Sequence, residues 1–166
     1  FKGQREFLTK RIHNYFFAKA LDKVREWGIV MFVTSKGILD SNGNRNVREY
    51  LNQNADFLGA VRLPSTAFQN NANTSVVTDI IILRKNNQNI STDISNYFEN
   101  NPTRILGETR EKTNRFGRLE KYIHGNLDEA LFKIEQFKNR KETQRIGNLF
   151  EDLFLEEEHK VENEVP

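Results

Sequence analysis

Cysteine is absent from the 166 residues, which excludes disulfides and thiolate metal sites. The absence suits a reducing cytoplasm. Histidine is scarce: His13, His124 and His159 lie far apart with no paired-carboxylate signature, so they read as ordinary surface or helix histidines. No apolar run approaches ~18 residues, so no transmembrane helix is expected. The opening stretch FKGQREFLTK lacks a signal-peptide layout and begins with Phe rather than Met, as expected of an excised segment. There is no Walker loop, no GxGxxG, no HExxH and no GxSxG. By motif alone the chain matches no self-sufficient enzyme type.

What is present is apolar bulk and charge. Hydrophobic residues make up 37%, charged residues 29%, and there are 13 Phe, so an aromatic-rich core is expected. The length suits one domain, or a small domain with an appendage. A net charge of +2 hides an asymmetry, because residues 151–166 carry seven acids and one Lys, leaving the rest at +8. A basic body favours nucleic acid through phosphate attraction, although a mixed solvated surface has the same composition. The acidic end reads as a solubilising helix end and tail.

Hydrophobic periodicity predicts a helix over 9–26, with Ile12, Phe16, Ala20, Val24 and Trp27 on one stripe beside Phe17 and Leu21, and Gly28 as its stop. IVMFVTS, 29–35, is a near-continuous apolar run that suits a strand covered on both faces. A shorter helix follows at 44–55 with Val47, Tyr50 and Leu51 inward, then strands at 57–63 and about 76–84. With no helix between them, the last two strands are expected to be antiparallel. From 86 the chain turns Asn-rich around a short helix near 93–99, then a strand pair is expected within 115–125 and helices at 127–140 and 142–158.

Four blocks carry a resemblance in order. HNYFFAKALDKVREWGIVMFVTSKGILD (13–40), VREYLNQNADFLGAVRLPSTAF (47–68) and VVTDIIILRK (76–85) resemble the distal half of the catalytic domain of N6-adenine DNA methyltransferases, and NYFENNPTRILGE (96–108) resembles the segment that follows that domain. The nearest likeness is to large methylase–helicase proteins of phages and conjugative elements. The resemblance implies an α/β fold: part of a class I methyltransferase (Rossmann-like) sheet with a terminal antiparallel strand pair, followed by a mainly helical C-terminal extension. The strands at 29–35, 57–63 and 76–84 would be the fifth, sixth and seventh, ordered fifth, seventh, sixth. In that family the first half of the sheet binds S-adenosylmethionine through a Gly-rich turn. An Asn-Pro-Pro-aromatic loop after the fourth strand holds the target adenine. Neither element occurs here, and Asn101-Pro102 is followed by Thr103. Phe1 is a candidate for the aromatic that closes that loop.

The resemblance divides the chain into 1–85, the distal half-domain; 86–126, linker and turns with a short helix; and 127–166, C-terminal helices and acidic tail. It implies S-adenosylmethionine and DNA as cofactor and partner of a parent protein, and no cofactor for this chain alone. It also implies a missing N-terminal half as partner; without it the exposed fifth strand is expected to self-associate, or to be covered by residues 1–10 or by the C-terminal helices. The amides of Val30, Phe32 and Thr34 are expected to lie on that edge.

Ligands in open α/β sheets sit at the carboxyl ends of strands. Thr34, Ser35 and Lys36 are therefore candidates for the cofactor or target pocket, or for ordinary turn chemistry with a solvated Lys. Pro64 ends the strand before it because it lacks an N–H. Nucleic-acid contact candidates are Lys36, Arg62, Phe68, Asn71, Thr74, Arg104, Arg110, Arg115 and Arg118. Arg62 reads equally as a surface arginine at a strand end, and Phe68 as a plug of the loop. Ala72-Asn73-Thr74 stands where relatives carry Ala-Gly-Thr, and Asn tolerates the left-handed turn. No residue is assigned to catalysis or to a metal. The alternative function is a non-catalytic module binding nucleic acid or protein, with 104–121 as its surface, or a structural domain assembling through its C-terminal helices.

Overall fold

The computed structural model describes residues 6–69, 75–86, 94–114 and 116–137. The chain divides into two compact units, Phe1–Leu127 and Asp128–Pro166. The first unit is mixed α/β. A 3-10 turn at Glu6–Thr9 leads into α1 (Ile12–Lys23), β1 (Ile29–Ser35), α2 (Arg45–Asn54), β2 (Ala55–Leu63) and β3 (Thr78–Lys85). After them come a one-turn helix α3 (Tyr97–Asn100), β4 (Glu108–Thr113) and β5 (Leu119–His124). Helix α4 (Leu127–Phe137) is the described part of the C-terminal region. The expected helix at 142–158 lies outside the described residues.

The main sheet has the order β1-β3-β2, and β3 runs antiparallel to both neighbours. Strands β1 and β2 therefore point the same way, joined through α2, with the last strand inserted between them. This is the order expected from the sequence. Alternation along the strands sorts the side chains. Val30, Phe32, Ile81, Leu83 and Ala60 face the helices and join Phe17 and Leu21 of α1 and Val47 and Leu51 of α2 in one core. Phe17 and Phe32 meet with ring centroids 4.6 Å apart.

Helix α1 corrects one expectation. Its buried face is Asn14, Phe17, Ala18 and Leu21, whereas Ile12 (65% exposed) and Phe16 (50%) face solvent, as does Trp27 beyond it (54%). The helix is apolar on more than one face, and the one opposite Phe32 wins. It also stops at Lys23 rather than at Gly28. Gly28 is needed for a different reason: a Cβ there would lie 2.5 Å from Val24 Cγ2. Val47, Tyr50 and Leu51 of α2 are buried as expected. So is Arg48, whose guanidinium donates to the carbonyls of Ile38 and Ser41 and ties the loop after β1 to the helix.

Among the described residues β1 has no second neighbour. Its Lys36 N–H donates to Val77 O, and the ladder alternates from that pair. The amides of Val30, Phe32 and Thr34 therefore face β3. Those of Met31 and Val33 face the open side, and they, not the other three, report on the edge. Both Met31 (46% exposed) and Val33 (53%) also show their side chains to solvent.

The second sheet is the ribbon β4–β5, six residue pairs from Glu108↔His124 to Thr113↔Leu119. It begins earlier than the 115–125 expected, because β4 is ETREKT, all exposed, with no apolar alternation to reveal it.

Candidate functional site

The carboxyl ends of β1 and β2 meet the start of β3, and register places Thr34, Asp79 and Arg62 in one row across the sheet. The row faces inward. Asp79 is fully enclosed and Arg62 is 8% exposed. Arg62 grips Asp79 with both arms, Nε to Oδ1 at 2.7 Å and Nη2 to Oδ2 at 2.8 Å. Its Nη2 also lies 2.8 Å from Asp40 Oδ2 in the loop after β1. The Phe98 ring of α3 lies under the guanidinium, 4.1 Å away. One arginine thus fastens two strands, a loop and a helix.

Burial works to lower Arg62, but the hydrogen bond and charge of Asp79, then Asp40, outweigh it and hold the guanidinium above its ordinary value. For Asp79 burial is again the largest influence. It pushes the carboxyl up against the pull of Arg62 and, more weakly, of Lys36. An enclosed carboxylate of this kind depends on its cation.

Above the row lies a cavity of about 340 Å³. Val77, Phe98, Ile105 and Ile123 give it apolar walls, while Lys36, Asp40, Glu99 and Lys121 give it charge. Lys36 Nζ donates to the Lys121 carbonyl at 3.3 Å, so the turn after β1 reaches the ribbon. The segment after α3 closes a further side: Ile105 forms a parallel bridge with Arg62, and Leu106 N–H donates to Arg62 O.

The expected contact residues do not form one surface. Arg62 is not the exposed strand-end arginine that was the alternative: it is buried, held by two carboxylates and a ring, and it borders the cavity. Pro64 follows β2 directly and is buried, which completes the account of Arg-Leu-Pro at that strand end. Thr34 is 5% exposed, and among the described residues its Oγ1 has no hydrogen-bond partner. Ser35 is half-buried, with Oγ 3.5 Å from His13 Nε2. Lys36 is exposed and lines the cavity. Phe68 is half-buried in the loop after β2, and Arg104 is half-buried after α3. Arg110 is exposed but bridged by Glu108 at 2.6 Å, which holds Glu108 below the usual carboxylate range. Arg118 is exposed at the ribbon turn. Asn71, Thr74 and Arg115 lie outside the described residues, as do Phe1 and Ala72-Asn73.

Sequence reading missed Asp79, Asp40 and Phe98. The signal for Asp79 was present: a lone acid in VVTDIIIL is a buried charge that must find a cation. Among the described residues no group of three or more His, Cys, Asp or Glu is placed to hold a metal, and no helix is long and apolar enough to cross a membrane.

The profile of the family described as N-6 DNA methylase matches residues 4–144. The chain is 28% identical over 144 residues to "Defense against restriction protein B" of Escherichia phage P1. That match covers 82% of this chain and 6% of the phage protein. No solved structure matches significantly.

Proposed function

The chain belongs to the N-6 DNA methylase family, and from that premise we propose that it is a segment of a longer S-adenosylmethionine-dependent adenine-N6 DNA methyltransferase. The observation that carries the reading is the strand order β1-β3-β2 with the middle strand reversed. It agrees with the fifth, seventh and sixth strands of a class I, Rossmann-like methyltransferase sheet. The segment supplies the far side of that sheet. The Gly-rich turn and the Asn-Pro-Pro-aromatic loop, which bind cofactor and target adenine in the family, belong to a preceding half. The target base leaves the duplex for reaction, since N6 is otherwise held in its base pair. A helicase in the same longer protein, a cytoplasmic setting and protection of DNA from restriction are parts of this proposal.

The open side of β1 supports the same reading. Among the described residues the amides of Met31 and Val33 have no strand partner and their side chains are exposed, as are Ile12 and Phe16 of α1. A strand edge of this kind invites pairing, and the fourth strand of the sheet is its partner in the proposed whole. Amide exchange followed by mass spectrometry or NMR tests this. Met31 and Val33 exchange fast in the monomeric chain and slow down at least tenfold when the preceding half is supplied. Unchanged fast exchange in the joined protein would reject the placement of β1 beside a fourth strand.

Lys36 is the cation this chain brings to the carboxyl end of β1. Its role here is to face the DNA backbone. Binding of duplex DNA by the chain is expected to weaken steeply with salt, with a logarithmic slope of about −0.9 per phosphate neutralised, and Lys36→Ala to reduce that slope by about one. A salt-insensitive affinity would contradict the phosphate contact.

A further inference from the structure

We propose that the cavity at the carboxyl ends of β1 and β2 is a pocket for the pyrimidine left unpaired when adenine leaves the duplex, a thymine. The proposal rests on the reading of the chain as part of an adenine-N6 DNA methyltransferase. It adds a second nucleotide to that reading, beside the adenine itself.

The floor of the cavity is a donor held in place. Arg62 Nε and Nη2 are committed to Asp79 and Asp40. Its Nη1 has no hydrogen-bond partner among the described residues, and it is not shut off from solvent. The Nη1 N–H groups therefore open onto the cavity that Arg62 borders. Both carboxylates and the Phe98 ring fix the guanidinium, so little freedom is lost when a ligand accepts from Nη1.

The walls are apolar and firmly placed. They are Val77, Phe98, Ile105 and Ile123. Leu106 N–H donates to Arg62 O at 2.8 Å and holds the segment after α3 against β2. Ser65 N–H donates to Ile123 O, and Ile123 N–H to Ser65 Oγ, both at 2.9 Å, which holds the ribbon to the loop after β2. The volume of about 340 Å³ stands at the small end of the roughly 300–1,000 Å³ typical of small-molecule sites. A single base suits it better than a longer ligand. Bases taken out of the stack are held this way, between apolar side chains with hydrogen bonds to the pairing edge.

The polar groups select among ligands. Lys36 and Lys121 are exposed in the lining and have no ion pair among the described residues. Of the two acids there, Asp40 is bridged by Arg62, and Glu99 is unbridged among the described residues. An anionic ligand such as a small carboxylic acid would suit Arg62 but would meet both acids, which an uncharged base does not repel. Three donor-only cations, Arg62, Lys36 and Lys121, face these two carboxylates. Thymine matches that balance, with two carbonyls and one N–H on its pairing edge. Adenine offers one acceptor and an amino group. Extruding adenine frees that thymine, and the phosphate contact of Lys36 brings the strand to the cavity.

The test compares duplexes with one abasic position, opposite either thymine or adenine, and the fully paired duplex. The chain is expected to bind the unpaired-thymine duplex about tenfold more tightly than the unpaired-adenine one, a modest base discrimination. Thr109→Trp fills the cavity from an exposed position on β4. It is expected to abolish this preference while leaving the affinity for paired DNA and the salt slope unchanged. Circular dichroism checks its fold. With 4-thiothymidine as the unpaired base, photocrosslinks in the wild-type chain are expected within 96–109 or 121–123. Equal affinity for the thymine and adenine duplexes would overturn the pocket, as would crosslinks confined to other segments. Either result leaves the methyltransferase reading to its own assay of methyl transfer. Tight binding of free thymidine monophosphate, with no preference among the duplexes, would overturn the DNA source in favour of a free nucleotide. No binding of any duplex at low salt would overturn the pocket together with the Lys36 contact.

Discussion

Arg62→Ala is expected to destabilise the fold by about 3–5 kcal/mol, the cost of stripping a buried carboxylate of its cation. Asp79 is fully enclosed, so no water replaces the two hydrogen bonds it loses. Domains of this kind have roughly 5–15 kcal/mol in total, which makes the loss a large part of the whole. Asp79→Asn costs less, because Arg62 keeps Asp40 at 2.8 Å and the Phe98 ring. The pair's worth lies in being complete. Replacing both members together, Arg62→Met with Asp79→Leu, is expected to cost less than Arg62→Ala alone, since desolvation of both charges is then avoided. Urea unfolding followed by circular dichroism reads all four proteins. An Arg62→Ala midpoint equal to that of wild type would show that Arg62 is not the fastener.

The stability effect bears on function through position. Arg62 ties β2 and β3 to the loop after β1 and to α3. Those elements form the floor and one wall of the cavity that Lys36 borders. Loosening the fastener is therefore expected to disturb the carboxyl end of the sheet before the helix-covered core.

Much of the main sheet was legible because its signals are strong. IVMFVTS is apolar enough to read as a strand, although only one of its faces is covered, since Met31 and Val33 are exposed and it borders the sheet among the described residues; VVTDIIILRK can pair on both sides. The block order carried the resemblance, and the resemblance carried the strand order. What failed to read was whatever depends on a partner distant in sequence. Arg62 looked like a strand-end arginine because Asp79 and Asp40 are 17 and 22 residues away and neither forms a local pattern with it. Helix α1 offers apolar residues on several faces, so periodicity could not select the one that packs on Phe32. Strand β4 is held by its pairing with β5 rather than by burial, and ETREKT has no apolar rhythm to announce it.

The second large effect concerns the chemistry. The sequence contains neither a Gly-rich cofactor turn nor an Asn-Pro-Pro-aromatic loop. In the proposed assignment the residues here position DNA and complete the sheet, while methyl transfer belongs to the preceding half. Activity should therefore be all or none with respect to that half.

The most direct measurement is transfer of a labelled methyl group from S-adenosylmethionine to duplex DNA, with the product nucleosides separated to locate the label. Two samples are compared: this chain alone, and this chain joined to a preceding segment that carries the Gly-rich turn and the Asn-Pro-Pro-aromatic loop. The account predicts label at adenine N6 from the joined protein and none from the chain alone. Label transferred by the chain alone would contradict it, as would a joined protein that folds and binds S-adenosylmethionine yet leaves adenine unmodified.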